Sequence, residues 1–346
     1  MNIFNIMLSP DKGGLQQMSV IYALAMQKKG HNVTCVLRKD SPYINILKES
    51  GIPIYIYKSC TNYNLFRMFN LAVFMKKNKT DVVLCHGRRA ISVVSNSIIR
   101  VIINPIYKLI GVMHSKECKL KNKCDKLIFL TKTQLQKQEA DIQNKSYVLS
   151  NTILDMGDNL NRLHSPIVFG AMGRLHKIKG YDILIKALAI LKMRKNQFKF
   201  ILAGKGPEEN KLLNQIKKLN LNDVVDYIGW VDDKINFFKQ IDVFILSSRS
   251  DVMPLSILES FSYSKPVIST MCDGPKEIML QEFSSMLVSV EDENALAIAM
   301  ENIIKNKNKI SALGRKAKKL FIEQYSFLTF SNKLNTILHE VVNVKY

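Results

Sequence analysis

The sequence predicts an α/β protein built from two doubly wound, Rossmann-like domains. Three observations predict it. The chain has 346 residues, which exceeds one typical core and fits two. Short apolar runs of β-favouring residues alternate with segments of helical period. The junctions between them are polar or glycine-rich turns, as in repeated βαβ units. The expected boundaries are 1–160 for the first domain and 161–325 for the second. A C-terminal helix over 326–346 is expected to cross back to the first domain.

In the first domain, residues 3–8 read as an apolar strand. Ser9 to Gly14 is a turn, Leu15 to Lys29 a helix, and Val33 to Leu37 the next strand. Gly13-Gly14 sits where a βαβ unit holds phosphate, and paired glycines let backbone approach a ligand closely. The turn is not G-x-G-x-x-G, which counts against a dinucleotide oxidoreductase. Ile52–Tyr57 is a strand. Tyr63–Lys77 is an amphipathic helix with Leu65, Phe66, Phe69, Ala72 and Val73 near one face and Arg67, Lys76 and Lys77 as a basic edge. Asp81–His86 is a strand, and Ala90–Arg100 is a helix. Strands over Tyr107–His114, Cys124–Thr131 and Ser146–Leu149 follow. His86 and His114 fall at strand ends, the edge of a parallel sheet where ligands bind. Residues 152–165 are polar and read as a hinge.

The second domain opens with the strand Pro166–Met172. Gly173-Arg174-Leu175-His176-Lys177-Ile178-Lys179-Gly180-Tyr181 follows, then a helix over Asp182–Arg194. A cation between a strand end and a helix start favours an anion; Arg174 offers a planar fork and Lys179 a mobile point charge. Phe198–Ala203 is a strand before the glycine turn at Gly204 and the helix Glu208–Leu219. Val225–Ile228 is a strand, and Trp230, the only tryptophan, belongs either to the ligand edge or to the core. The tail has helices over Glu293–Lys305, Ala312–Gln324 and Phe327–Val342.

The formal net charge is +21, with +14 in residues 1–165 and +7 in 166–346. Such a surface attracts anionic membranes, nucleic acid or acidic substrates, unless a compositional bias toward Lys explains it. Six scattered cysteines fit a reduced compartment rather than a disulfide scaffold. Cys85, His86, His114, Cys118 and Cys124 lack the paired spacing of a zinc site, and no metal is expected. No apolar run reaches the ~20 residues that span a bilayer. The N-terminus lacks a basic n-region and a cleavage site, so it is read as a strand rather than a signal peptide.

The most informative stretch is Ser247–Gly274, SSRSDVMPLSILESFSYSKPVISTMCDG. The strand Ile241–Leu246 precedes it. Pro254 suits the first position of a helix carrying Leu255, Leu258 and Phe261, and Lys265–Thr270 is the next strand. A helix N-terminus beyond a strand attracts phosphate. Asp251 and Glu259, with seven residues between them, add carboxylates that accept from sugar hydroxyls.

This segment resembles the acid-x7-acid motif of glycosyltransferase family 4, retaining enzymes of the GT-B fold. That fold implies two Rossmann-like domains facing across a cleft. The resemblance implies that Glu259 binds the nucleotide ribose and Asp251 the donor-sugar hydroxyls. Backbone amides around Met253, Pro254, Leu255 and Ser256 would bind sugar and phosphate. This sequence departs from the family where Asp251 replaces the usual Glu and Val252-Met253-Pro254 the usual Gly-Phe-Gly; Pro254 has no N–H to give. The phrase Gly173-Arg174-Leu175…Gly180-Tyr181 resembles the family's diphosphate-neutralising segment. Lys177 and Lys179 are both candidates beside Arg174, and Lys179 matches better. The strand ending in His114 resembles the family's histidine beside the donor sugar, with His86 a second candidate. By the same resemblance Gly13 and Gly14 face the donor diphosphate, Gly204 and the segment after Gly229 border the base, and Asp273–Ile278 is the next turn.

The expected function is transfer of a hexose-type sugar from a nucleotide-sugar donor to an acceptor. A glycan or glycolipid precursor of the cell envelope is the expected acceptor. Catalysis would rest on His114, Asp251, Arg174 and Lys179, with no cofactor and no metal. The expected location is the cytoplasm, with the inner face of the cytoplasmic membrane as a partner for the basic helix 63–77. Two alternatives differ in class: a catalytically silent sugar-nucleotide binder, and a basic nucleic-acid-binding protein, for which no binding module is present.

Overall fold

A computed structural model describes residues 1–9, 13–58, 64–96, 99, 107–115, 120–155, 157 and 163–343. The chain forms two compact units. One comprises Met1–Leu154 with Phe327–Tyr346, the other Asp155–Ser326.

The first unit holds a seven-stranded parallel sheet. Its strands are β1 (Asn2–Met7), β2 (Asn32–Leu37), β3 (Ile54–Ile56), β4 (Val82–His86), β5 (Lys108–Met113), β6 (Lys126–Phe129) and β7 (Ser146–Val148). Their order is β3-β2-β1-β4-β5-β6-β7. The central strands are apolar on both faces because helices cover both. Ile3, Phe4 and Ile6 of β1 and Val82, Val83 and Leu84 of β4 are all buried. The connecting helices include α1 (Gly14–Lys28), α2 (Ile44–Glu49), α3 (Leu65–Lys77), α4 (Arg88–Val94), α5 (Lys132–Gln136) and α6 (Ala140–Asn144).

The second unit repeats the plan with six parallel strands. These are β8 (Ile167–Met172), β9 (Phe198–Ala203), β10 (Val225–Gly229), β11 (Val243–Leu246), β12 (Val267–Thr270) and β13 (Leu287–Val288). Their order is β10-β9-β8-β11-β12-β13. Its helices are α7 (Tyr181–Met193), α8 (Glu209–Lys218), α9 (Lys234–Lys239), α10 (Leu255–Ser262), α11 (Asp273–Phe283), α12 (Glu293–Lys305) and α13 (Ile310–Leu320). Phe237 and Phe238 of α9 and Tyr263 form a run of ring contacts with Phe244 of β11.

In both units the first and fourth strands are neighbours and the connections diverge on either side of them. A crevice opens at the C-terminal ends of such a pair, which is where doubly wound sheets bind ligands. The pairs are β1/β4 and β8/β11.

The last helix, α14 (Phe327–Asn343), packs on α1 in the first unit. Phe330 meets Tyr22 edge-on with ring centroids 4.9 Å apart. Asn332 and Asn335 accept from Lys29 and pair with His31.

Several elements differ from expectation. On the helix read over 63–77, the apolar stripe and the buried face coincide only at Ala72. Met68, Leu71, Ala72 and Met75 are buried, while Leu65, Phe66, Phe69 and Val73 are exposed. The helix read over Ala90–Arg100 is α4, from Arg88 to Val94; residues 97, 98 and 100 lie outside the described residues. Tyr63, Cys60 and Cys118 lie outside them too. The 273–278 turn is the first turn of α11, and Cys272 is its N-cap. The helix expected over Ala312–Gln324 is α13 followed by a π turn at Phe321–Tyr325.

Phe330 is 2% exposed. Phe330→Ala is expected to destabilise the first unit by about 3–5 kcal/mol through lost burial and a residual cavity. Denaturant unfolding followed by a first-unit probe measures this; a loss under about 1 kcal/mol would show that α14 contributes little.

Candidate functional site

The loop after β8 and the loop after β11 meet at backbone distance. Gly180, with φ 65°, closes the 3₁₀ turn Lys177–Lys179 and starts α7. A Cβ at Gly180 would lie 2.1 Å from the Ser247 carbonyl oxygen, so a side chain there is excluded. Ser247 Oγ donates to the Lys179 carbonyl at 2.9 Å, and the Arg249 amide donates to Ile178 at 2.8 Å. On the other side, a Cβ at Gly204 would lie 1.9 Å from the Gly173 carbonyl oxygen. Gly173 and Gly204 therefore bring the ends of β8 and β9 together.

Arg249 is the clamp of this edge. Its guanidinium donates two parallel bonds to Asp182, both 2.8 Å, and others to Glu291 and the Lys177 carbonyl. Burial raises the Asp182 carboxyl, but hydrogen bonds from Arg249 outweigh it and hold the group below its ordinary range. Asp182 and Glu291 hold the guanidinium proton above its already high range.

The acids are both paired. Lys179 Nζ lies 2.6 Å from Asp251 Oδ2, with both side chains partly exposed. Glu259 is 3% exposed on α10, and its Oε1 lies 2.5 Å from Lys234 Nζ at the start of α9. Asp251 is also fixed through its carbonyl, which accepts from Gly274 at 2.9 Å. The Asp251 charge adds to burial in raising both the Tyr181 hydroxyl and the Cys272 thiol, the latter to about 11.

Arg174 is exposed two residues beyond β8 and has no ion pair or hydrogen bond among the described residues. Met253 is buried. Pro254 is the N-cap of α10 with extended ψ 118°, one position earlier than the helical slot expected for it. The first helical amides are therefore those of Leu255 and Ser256, which have no partner within the helix by geometry. Trp230 is 47% exposed, and its indole N–H donates to Asp232 at 2.9 Å, which takes it out of the core. The open grooves beside Tyr147 and His339 and beside Lys199 and Asp226 include none of these residues.

At the corresponding edge of the first unit, Gly13 is the N-cap of α1 and Gly14 its first residue. His86 ends β4, opposite Met7 of β1. His86 Nδ1 lies 3.0 Å from His114 Nε2, and His86 Nε2 lies 2.8 Å from Asn5 Oδ1. Asn5 Nδ2 donates to the Ser19 carbonyl at 2.8 Å. Burial lowers His86 well below the usual histidine range, with His114 adding to it, and lowers His114 to about 4. The structure thus brings His86 and His114 together, and it joins Lys179 to Asp251.

Residues 158–320 match the family described as Glycosyl transferases group 1. This segment belongs to that family. The lipopolysaccharide core biosynthesis glycosyltransferase LpsE of Rhizobium meliloti (strain 1021) is 30% identical over 162 residues, 47% of this chain and 46% of LpsE. The chain thus spans about half the length of the curated relatives it matches at this level. A longer match, 22% identical and covering 88% of each chain, is to the Escherichia coli UDP-Gal:alpha-D-GlcNAc-diphosphoundecaprenol alpha-1,3-galactosyltransferase. Anabaena HepE, solved in complex with UDP and glucose, has a TM-score of 0.82 at 18% identity and covers 98% of this chain and 100% of its own. The Rickettsia africae glycosyltransferase has a TM-score of 0.84 at 17% identity, covering 99% of both chains. These likenesses show the fold, GT-B, with its two Rossmann-like domains.

Within this glycosyl transferases group 1 frame, two residues escaped the sequence reading. Lys234 lies 25 residues before Glu259, at no recognisable spacing. Arg249 sits inside the acid stretch but resembles an ordinary surface cation. Its only sequence signal is its place in a polar loop directly after a buried strand.

Arg249→Lys keeps the charge but loses the parallel fork. It is expected to cost about 1–3 kcal/mol. The folded-state pKa of Asp182 is depressed, so its contribution is present above the unfolded carboxyl value of about 3.9 and is lost as pH falls through the lower folded value. The variant should therefore unfold at higher pH than wild type in acid titration; matching acid midpoints would remove the clamp.

Proposed function

We propose that the chain is a retaining glycosyltransferase that moves a hexose-type sugar from a nucleotide-sugar donor to a glycan or glycolipid precursor of the cell envelope. The observation that carries this reading is the set of groups at one sheet edge of the second unit. Beyond β8 and β11 stand the exposed Arg174, the Lys179–Asp251 pair, the N-terminus of α10, and buried Glu259 with Lys234. A pyrophosphate needs cations and unpaired amides; a ribose and a hexose need carboxylate acceptors. This edge supplies both.

In the reaction, the glycosidic bond from the anomeric carbon to the diphosphate oxygen breaks, and negative charge grows on the leaving group. Arg174, Lys179 and the Leu255 and Ser256 amides are preorganised to stabilise it. Glu259 takes the ribose hydroxyls through the oxygen that Lys234 leaves open. Asp251 takes sugar hydroxyls, and Lys179 passes from Asp251 toward the diphosphate. The acceptor hydroxyl attacks the same face, and the leaving phosphate takes its proton. His114, Gly13 and Gly14 belong to the first unit; their roles beside the sugar and diphosphate are part of the same proposal, as is Gly204 beside the base. The relatives named for lipopolysaccharide core and diphosphoundecaprenol chemistry support an envelope acceptor. HepE holds UDP and glucose, which makes uridine nucleotides the first donors to test.

Arg174→Ala and Glu259→Ala are expected to lower kcat/KM by about 100-fold or more while the fold persists. UDP, screened beside GDP and ADP, is expected to raise the thermal midpoint of wild type and not of Glu259→Ala. Wild-type turnover and donor affinity in Glu259→Ala would refute the assignment.

An anionic bilayer is the proposed partner of α3. Leu65, Phe66, Phe69 and Val73 are exposed on it, and Arg67, Lys76 and Lys77 flank them. That is the composition of an interfacial helix. Co-sedimentation with vesicles containing anionic lipid is expected at low salt, with weaker binding by a Phe66→Ser/Phe69→Ser variant. Equal binding by both proteins would exclude α3 as the contact.

A further inference from the structure

The buried chain Ser19 C=O, Asn5, His86, His114 runs through the first unit to its ligand edge. Each link constrains the next. The Asn5 amide nitrogen is committed to the Ser19 carbonyl, so its oxygen faces His86 Nε2 as an acceptor. His86 Nε2 must then carry the hydrogen. A neutral imidazole has one donor and one acceptor, so His86 Nδ1 accepts. Its partner at 3.0 Å, His114 Nε2, therefore donates. That leaves His114 Nδ1 with a lone pair, and it makes no hydrogen bond among the described residues.

We propose that Asn5 and His86 are positioning residues that fix the tautomer of His114, so that its Nδ1 acts only as an acceptor and selects a substrate hydroxyl. The substrate part rests on the glycosyl-transfer reading; the tautomer part does not.

The surroundings favour a neutral chain. Asn5 comes from β1, with Cys35 of β2 at 3.8 Å from its amide nitrogen. Tyr22 of α1 packs edge-on to His86 at 4.9 Å and is itself held by Phe330 of α14. The Cys35 thiol is pushed up to about 12 by burial and stays neutral. The Tyr22 hydroxyl is raised further by burial. Neither imidazole has a carboxylate or cation partner among the described residues, and burial disfavours the charged form of both. His114, the more exposed of the two, is the end that meets solvent. A sugar hydroxyl donates to such an atom; a phosphate oxygen or an imidazolium-seeking carboxylate does not.

The chain also predicts what breaks it. A proton added to His86 turns its Nδ1 into a donor, which forces His114 to reverse and lose its outward lone pair. Asn5→Asp places a carboxylate at His86 Nε2 and favours that proton. Its folded pKa is raised, so the protonated state fills as pH falls.

The test uses the full chain labelled with ¹⁵N. Imidazole nitrogen spectra of the ligand-free protein are expected to show His86 and His114 protonated at Nε2 and unchanged from pH 8 to about 5. Assignments come from His86→Gln and His114→Gln. A hydrogen on His114 Nδ1, or titration of either ring near the ordinary histidine value of about 6.5, overturns the proposal. With a nucleotide-sugar that turns over, wild-type kcat should be insensitive to these rings over that range. Asn5→Asp should lose about tenfold as pH falls through 7 to 5, with its His114 spectrum reversing in step. Reversal of the spectrum without any loss of turnover also overturns it. Should the tautomers be as stated while no nucleotide-sugar reacts, the locked chain stands and the glycosyl-transfer reading falls.

Discussion

The close approach of Gly180 to the Ser247 carbonyl sets the geometry of the second unit's ligand edge. Two loops that follow adjacent parallel strands would otherwise be separated by a side-chain layer. With hydrogen at Gly180 they touch, and Ser247 Oγ and the Arg249 amide donate across the seam to the Lys179 and Ile178 carbonyls. Lys179 then lies on one loop and Asp251 on the other, at ion-pair distance. Arg249 fastens the same seam to the first turn of α7 through Asp182. A fixed backbone therefore presents side chains whose charges matter, rather than flexible loops presenting charges that must find each other.

Those charges are balanced before any ligand arrives. Glu259 is almost fully buried, and a buried carboxylate with no cation would be strongly destabilising. Lys234 offsets that cost from a more exposed position. The Lys179–Asp251 pair is more solvated and correspondingly weaker. On the proposed roles, a donor with hydroxyls at Asp251 and phosphate oxygens at Lys179 exchanges one ion pair for two charge-assisted contacts. The exchange favours a ligand carrying both groups at once; an isolated phosphate or sugar satisfies only half of it.

Much of this was legible in the residues, and the exceptions share a cause. The central strands stand out as apolar runs because parallel sheets bury both faces, and the doubly wound class followed from their alternation with helices. Ser247–Gly274 was legible because its acids, strand and helix start lie within one continuous stretch. Lys234 was not, because its partner is fixed by the packing of α9 beside α10, and no local period encodes that. The buried face of α3 was not legible because hydropathy ranks Phe above Met, whereas the flexible methionines fill the core and the rings stay outside. His86 and His114 were visible as strand ends, but their link to each other and to Asn5 depends on strand order. Only the β1-β4-β5 adjacency puts these three residues in line.

The two units solve different problems with one topology. At the β8/β11 crossover the polar groups are charged, and each acid has a cation. At the β1/β4 crossover the described polar groups that face one another are neutral: an amide and two imidazoles whose ionisation burial suppresses. The proposed roles account for the difference. A diphosphate brings its own charge and needs compensation where the bond breaks. A hydroxyl brings none, so a charged partner there would gain little and would carry a desolvation cost on each binding event. A neutral acceptor with a fixed lone pair discriminates by direction instead. The buried tail of that acceptor, closed by Tyr22 and Phe330, explains why the last helix of the chain belongs with the first unit. It seals the polar chain that the opening strand begins.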